Sequence, residues 1–289
     1  MRVYHALMRL IGILAGLSRT TGLVLAATLC SMSVAMSPAA AGSAISGIAP
    51  HMARYRLSLD SSRGSGFIRA VKGQLEIRVA ASCDGWTVHQ FVGFTLLAED
   101  ESVLEHLTRL KLFEARDGGE FIFTSQTWED RVLAEELGGV ARRAPGGELK
   151  VRFGVPEREP QVLPGGTLFP TAHVATLIDA ARRGARQLRS VVFDGSTLDN
   201  PFEVAAIIGA QRKAEAGGSS LEALEGQPRW PVRLAYFRPD SRNPIAEFEM
   251  SVELYGNGVA GHMVFDYGDF AMQVVLDSLT VEPPPVCGD

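Results

Sequence analysis

Leu107-Thr108-Arg109-Leu110-Lys111-Leu112-Phe113-Glu114, followed by Asp117-Gly118-Gly119 and then by Glu120-Phe121-Ile122-Phe123-Thr124-Ser125-Gln126, is the stretch that decides the fold class. Two runs rich in strand-forming residues flank a turn whose glycines accept positive φ, so the chain reverses on itself as a β-hairpin. The same rhythm recurs in both directions.

Upstream, Tyr55, Leu57 and Leu59 alternate with Arg54, Arg56 and Ser58, the period-two signature of a half-buried strand. Gly64-Ser65-Gly66 and Gly73 punctuate two further runs, the second placing Leu75, Ile77 and Val79 on one face. Cys83-Asp84-Gly85-Trp86 supplies a turn into a strand over 86–97, and residues 99–101 form an acidic loop. Downstream, the runs 130–143 and 148–153 flank Pro145-Gly146-Gly147 as a second hairpin. Leu133-Ala134-Glu135-Glu136-Leu137 is also open to a helical turn. A strand running into a turn follows at 191–196, and strands follow at 204–208, 230–237, 245–255, 259–267 and 270–281. Turns fall at Asp240-Ser241-Arg242-Asn243, Gly256-Asn257-Gly258 and Gly268-Asp269. Residues 211–227, rich in Gly, Ala, Ser and Glu, are expected as a mobile surface loop, and Pro283-Pro284-Pro285 stops the last strand.

One segment has a different period. Over 171–183 the apolar residues Val174, Leu177, Ile178 and Ala181 recur at helical spacing, with Thr171 as N-cap and Gly184 placed to end the helix. Arg182, Arg183, Arg186 and Arg189 follow its C-terminal side. They complement the helix dipole or, in the sharper reading, offer a patch to anionic lipid. About a dozen strands and one principal helix exceed what a flat open sheet tolerates, so the sheet has to bend, close or wrap.

The N-terminus carries its own message. Arg2, Arg9 and Arg19 precede or flank an apolar segment over 21–35, and Pro38-Ala39-Ala40-Ala41 offers a small-residue cleavage site. Residues 1–41 are therefore expected to be a cleaved signal peptide, 42–50 a short lead and 51–289 the folded domain. The apolar run of about 15 residues is short of the ~20 that a spanning helix needs, so no stable membrane span is expected in the mature chain. Cys30 suggests lipoprotein processing only weakly, because Leu29 precedes it. A mature chain of about 248 residues retains 25 basic and 33 acidic side chains, a net charge near −8. That balance argues against nucleic acid as a partner. With an export signal, the protein is expected in the periplasm of a Gram-negative envelope, where disulfides persist.

Cys83 and Cys287 are the two cysteines beyond the signal. Paired, they would close a loop of about 204 residues, for which the chain-entropy model gives about 5 kcal/mol; the alternative is two free thiols. Catalytic patterns are missing. His173 and Asp179 could be recruited with Ser196 or Ser58 as a hydrolase of envelope material, but they lie six residues apart and no G-x-S-x-G elbow is present. His51, His89, His106 and His262 are scattered, without metal-ligand spacing, and no phosphate or dinucleotide motif occurs, so no cofactor is expected. The acidic pairs Glu135 with Glu136 and Asp266 with Asp269 are adequately explained as solvated faces. The aromatics Trp86, Phe91, Phe94, Phe121, Phe123, Trp128, Trp230, Tyr236 and Phe237 are mostly expected in the core, with some free to line a cleft for an acyl chain or apolar peptide.

Cys83-Asp84-Gly85-Trp86-Thr87, Leu163-Pro164-Gly165-Gly166-Thr167-Leu168-Phe169-Pro170-Thr171 with His173, Phe193-Asp194-Gly195-Ser196 and Trp230-Pro231-Val232-Arg233-Leu234-Ala235-Tyr236-Phe237 occur in order. Asn257-Gly258-Val259, Asp266-Tyr267 and Cys287 complete the series. Together they resemble the EipB cell-envelope-integrity family over essentially the whole mature chain. The resemblance implies a β-spiral: an antiparallel sheet wrapped around an incomplete turn, with a helix in or near its concave face and a disulfide between Cys83 and Cys287. It implies likeness in shape to periplasmic lipoprotein carriers and sensors, a part in envelope stress resistance, and no catalytic residues. The expectation is a non-enzymatic, monomeric periplasmic protein that binds an envelope protein or a lipid-like ligand. Trp86, Phe169, His173, Trp230 and Tyr236 are the candidate ligand or structural cluster.

Overall fold

A computed structural model describes residues 47–63, 68–213, 222–239 and 245–287. The expected signal peptide, the Gly64-Ser65-Gly66 break, the Asp240-Ser241-Arg242-Asn243 turn and the middle of the 211–227 loop lie outside these residues.

The period-two stretches become strands, except that of the 191–196 run only Val191 and Val192 are strand and the 245–255 run begins at Phe248, and the turns between them keep neighbours antiparallel. In chain order these are β1 (His51–Ser62), β2 (Ile68–Ala81), β3 (Gly85–Ala98), β4 (Val103–Ala115), β5 (Glu120–Glu129), β6 (Val132–Arg143), β7 (Leu149–Val155) and β8 (Gln161–Leu163). The helix α1 (Pro170–Arg182) follows. Then come β9 (Gln187–Val192), β10 (Phe202–Ile208), β11 (Arg212–Lys213), β12 (Pro228–Phe237), β13 (Phe248–Tyr255), β14 (Ala260–Asp266) and β15 (Phe270–Val281). All belong to one sheet, ordered β8-β7-β6-β5-β4-β3-β2-β1-β15-β14-β13-β12-β10-β9, with β11 beside β12. The first and last strands meet at its centre, His51 opposite Val281 and Ser62 opposite Phe270.

The sheet curls because apolar side chains from distant strands share one core. Tyr55, Leu75 and Val79 on one side and Val204, Trp230, Val232 and Leu234 on the other pack in a single cluster with Leu177, Ile178, Ala180 and Ala181 of α1. A flat sheet in that strand order could not bring these residues together, so the helix occupies the concave face. A second core fills the β4 to β8 end around Phe121, Phe123, Phe153, Phe169 and Phe193. The sheet does not close. Among the described residues β8 pairs only with β7, and the gap to β9 is spanned by the segment leading to the helix. There the Leu168 N–H donates to the Val191 carbonyl at 2.8 Å and the Phe193 N–H to the Leu168 carbonyl at 2.9 Å.

Several local expectations change. Gly73 does not break β2, which runs through it; a side chain at that position would collide with the backbone of Gly93 and Phe94, so glycine serves close strand approach. Residues 133–137 are strand, because pairing with β5 outweighs their helix propensity. The 211–227 loop is ordered at both ends. Arg212–Lys213 pairs with β12, and the 3₁₀ turn Glu222–Leu224 buries Leu224 against Tyr255 and Val259. The helix N-cap is Phe169 rather than Thr171, and no side chain within the helix caps it. Glycine does end it, with Gly184 at φ +77° donating to the Ala181 carbonyl at 3.0 Å.

Candidate functional site: the aromatic interior

Alternation along β12 points Trp230, Val232, Leu234 and Tyr236 into the curl, opposite Leu254, Val252, Met250 and Phe248 of β13. Towards one end this inner face becomes aromatic. Tyr236 lies 5.5 Å from Phe248 and 6.1 Å from Phe202 between ring centroids. Phe248 lies 5.8 Å from Phe265 and 5.1 Å from Tyr267, and Tyr267 lies 5.2 Å from Phe270. Phe270 is buried, whereas Phe202, Tyr236, Phe248, Phe265 and Tyr267 keep part of their surface open.

The two tyrosines differ from a packed tyrosine. Tyr55, in the filled part of the core, donates its hydroxyl to the Ala260 carbonyl at 2.8 Å. The Tyr236 and Tyr267 hydroxyls make no hydrogen bond among the described residues. Burial holds both above the usual phenol range, and the charge of Asp194 adds to the effect at Tyr236. Phenol groups enclosed by protein, partly open and unpaired are those of a recess rather than a close-packed core. The recess offers an apolar wall with two hydroxyls able to donate or accept.

Two further buried groups sit where the helix meets the sheet. The Glu114 carboxylate, 2% exposed on β4, accepts the N–H groups of Thr171 and Ala172 at 2.8 and 3.0 Å. Desolvation pushes its carboxyl up to about 7, while the same hydrogen bonds pull it back. His173, one turn into the helix, is buried with Nε2 unpartnered, and burial pushes its imidazole down to about 4. A cation is therefore disfavoured there, and Asp179 is engaged instead with Arg182 at 3.9 Å.

The other candidate residues distribute over the two cores. Trp86 and Trp230 are buried in the main core with the helix, and Phe169 stacks on Phe121 at 4.6 Å in the second. Tyr236 faces the recess. Cys83 and Cys287 are disulfide-bonded with Cα atoms 5.6 Å apart. Beside them Arg116 donates to the Ser82 and Cys83 carbonyls at 2.7 and 3.1 Å and lies 5.7 Å from the Trp86 ring. The helix arginines are partly engaged: Arg182 donates to the Gly256 carbonyl at 2.9 Å.

Two expectations about surfaces are corrected. Phe91 and Trp128 face outward, opposite in phase to buried Phe94 and Thr127, and Arg109 lies over the Trp128 ring at 5.2 Å. Two of the acidic residues are not simply solvated. Asp266 binds Arg63 through both oxygens at 2.7 and 2.9 Å, and Glu135 turns inward opposite Thr127. Sequence reading also passed over the inner-face group on β4 and β5. There His106 stacks on Phe94 and links through Nε2 to Thr108 at 3.0 Å, which meets Thr127 at 3.2 Å. Among the described residues no group of three or more His, Cys, Asp or Glu could hold a metal ion, and no helix is long and apolar enough to cross a membrane.

A model of the EipB-like family matches residues 42–283. The cell envelope integrity protein EipB of Brucella abortus (strain 2308) is 29% identical over 250 residues, spanning 84% of this chain and 87% of that protein. A crystal structure from Brucella abortus, described as a beta-barrel-like protein of a domain of unknown function, matches with a TM-score of 0.75 at 27% identity. It covers 81% of this chain and 98% of its own.

Proposed function

The chain belongs to the EipB-like family, and from that premise we propose that it is a non-catalytic periplasmic protein that maintains cell envelope integrity. Its curled sheet holds an apolar group, an acyl chain or the side chains of an envelope protein, against Tyr236, Phe248, Phe265 and Tyr267. The name of the Brucella relative supports the envelope role. The observation that carries the binding role is the pair of partly open tyrosines whose hydroxyls have no partner among the described residues. A close-packed core would have left neither their surface nor their hydrogen-bonding capacity unused.

Deletion of the gene tests the first half of the proposal, and complementation tests the second. The deletion strain is expected to become sensitive to detergent and cell-wall antibiotics and to be rescued by the wild-type gene. A Tyr236→Ala, Tyr267→Ala double variant at equal abundance is expected not to rescue. Unchanged sensitivity on deletion overturns the envelope role, and full rescue by the double variant overturns the aromatic site. Native mass spectrometry of protein isolated from its own cells separates an acyl ligand from a protein partner.

A further inference from the structure

β6 is longer than the strand beyond it. Its register with β5 runs from Val132 opposite Glu129 to Arg142 opposite Glu120, but its register with β7 begins only at Gly138, opposite Val155. Pro156 follows Val155 and has no N–H with which to continue the ladder, and Gly154 bridges to Glu157 as the chain turns back. Among the described residues, 132–137 are thus paired on one side only. Such edges template the addition of another strand, and folded proteins commonly guard them with charge or proline. This edge carries Glu135 and Glu136, yet its first two residues, Val132 and Leu133, are 68% and 46% exposed.

The same six residues carry an unanswered charge. Glu135 points into the curl in phase with buried Leu137, and among the described residues its carboxylate has no hydrogen bond or ion pair. Thr127 faces it from β5, with Glu129 two residues on. From the loop between β9 and β10 comes Asp199, whose own charge is met by Arg238 at 2.9 Å; Arg238 also lies 3.4 Å from Glu247. Burial and Asp199 together push the Glu135 carboxyl up to about 7.

We propose that the 132–137 edge accepts an extended segment of another polypeptide as an added strand, with a Lys or Arg of that segment facing Glu135. Backbone groups of the segment would complete the ladder. Its inward side chain, directly across from Glu135, would place opposite charges within cross-strand distance. The inference rests on reading the molecule as a binding protein, but it uses a surface separate from the Tyr236 and Tyr267 recess.

The test uses two blocked heptapeptides of alternating Val and Thr with Lys or norleucine at the centre, titrated into the mature protein at pH 8. Backbone hydrogen exchange locates the contact. The Lys peptide is expected to protect residues 132–137 and to bind up to about fivefold more tightly than the norleucine peptide. That advantage should vanish in Glu135→Gln and shrink at pH 5.5, where the carboxyl is protonated. Equal binding of the two peptides, no binding, protection elsewhere, or protection of 132–137 only by phosphatidylethanolamine vesicles would each overturn the proposal. Tyr236→Ala, Tyr267→Ala protein should bind the Lys peptide normally, so failure of the edge and failure of the recess are read separately.

Discussion

Glu114 on β4 caps the helix at Thr171 across 57 residues of sequence, Oε2 accepting the Thr171 N–H at 2.8 Å. A carboxylate at a helix N-terminus satisfies donors that have no partner inside the helix and complements its dipole. Burial opposes this, and the balance leaves the folded carboxyl near 7 against an ordinary 4.5. The folded state therefore holds its proton more tightly than the unfolded chain does. The Glu114 contribution is complete below pH 4.5 and is lost as pH rises through about 7. Relative to Glu114→Gln, wild type is expected to lose about 3 kcal/mol of unfolding free energy between pH 4.5 and 8. Urea denaturation of both proteins at the two pH values measures it, and parallel pH dependence would refute it.

His173 has the opposite sign. Burial lowers the folded imidazole from 6.5 to about 4, so its contribution is complete above pH 6.5 and is lost as pH falls towards 4. Wild type is expected to gain about 3 kcal/mol over His173→Leu between pH 4 and 7. The variant should also rescue a deletion strain fully. Loss of rescue by folded His173→Leu protein would revive a catalytic role for this residue.

Reduction of the Cys83–Cys287 bond, or Cys83→Ser, is expected to lower the melting temperature and expose the chain to protease. The chain-entropy model sets the loss at about 5 kcal/mol at most for a loop of 204 residues. Identical melting of wild type with and without reductant would show that the bond adds nothing.

Gly195 sits at φ +65° with the Phe123 ring 2.6 Å from where a Cβ would be. Gly195→Ala therefore combines backbone strain with overpacking, and a loss of about 2 to 4 kcal/mol is expected in chemical denaturation. Phe169→Ala, which removes the ring stacked on Phe121, is expected to cost about 3 to 5 kcal/mol. A loss below about 1 kcal/mol for either would contradict the packing described.

The strands and the helix were legible because period-two and period-3.6 patterns report which face is buried, whatever the partner. What covers each face was not. Thr171 has the chemistry of an N-cap, yet the capping oxygens come from Glu114, a residue whose own neighbourhood suggests only a hairpin strand. Glu135 was hidden by an ambiguous element. Once 133–137 is known to be strand, its phase with Leu137 and Ala141 places it inside, but helix and strand readings of those five residues put it on different faces. Trp128 shows the converse error, since an aromatic in a strand says nothing about side until the alternation is anchored to a buried neighbour such as Thr127. The tyrosine recess depends on strands β10 to β15 curling together, and no local pattern encodes an incompletely filled interior.

The position of β1, between β2 and β15, bears on how the protein folds. The two strands come from opposite ends of the domain, His51 pairing with Val281. β1 to β8 can assemble hairpin by hairpin, but one edge of β1 stays open until β15 docks. Each folding molecule therefore carries an exposed strand edge at the heart of its future sheet until that long-range pairing forms. Its exposure to mispairing with other chains is set by how soon β15 arrives rather than by the stability of the finished fold.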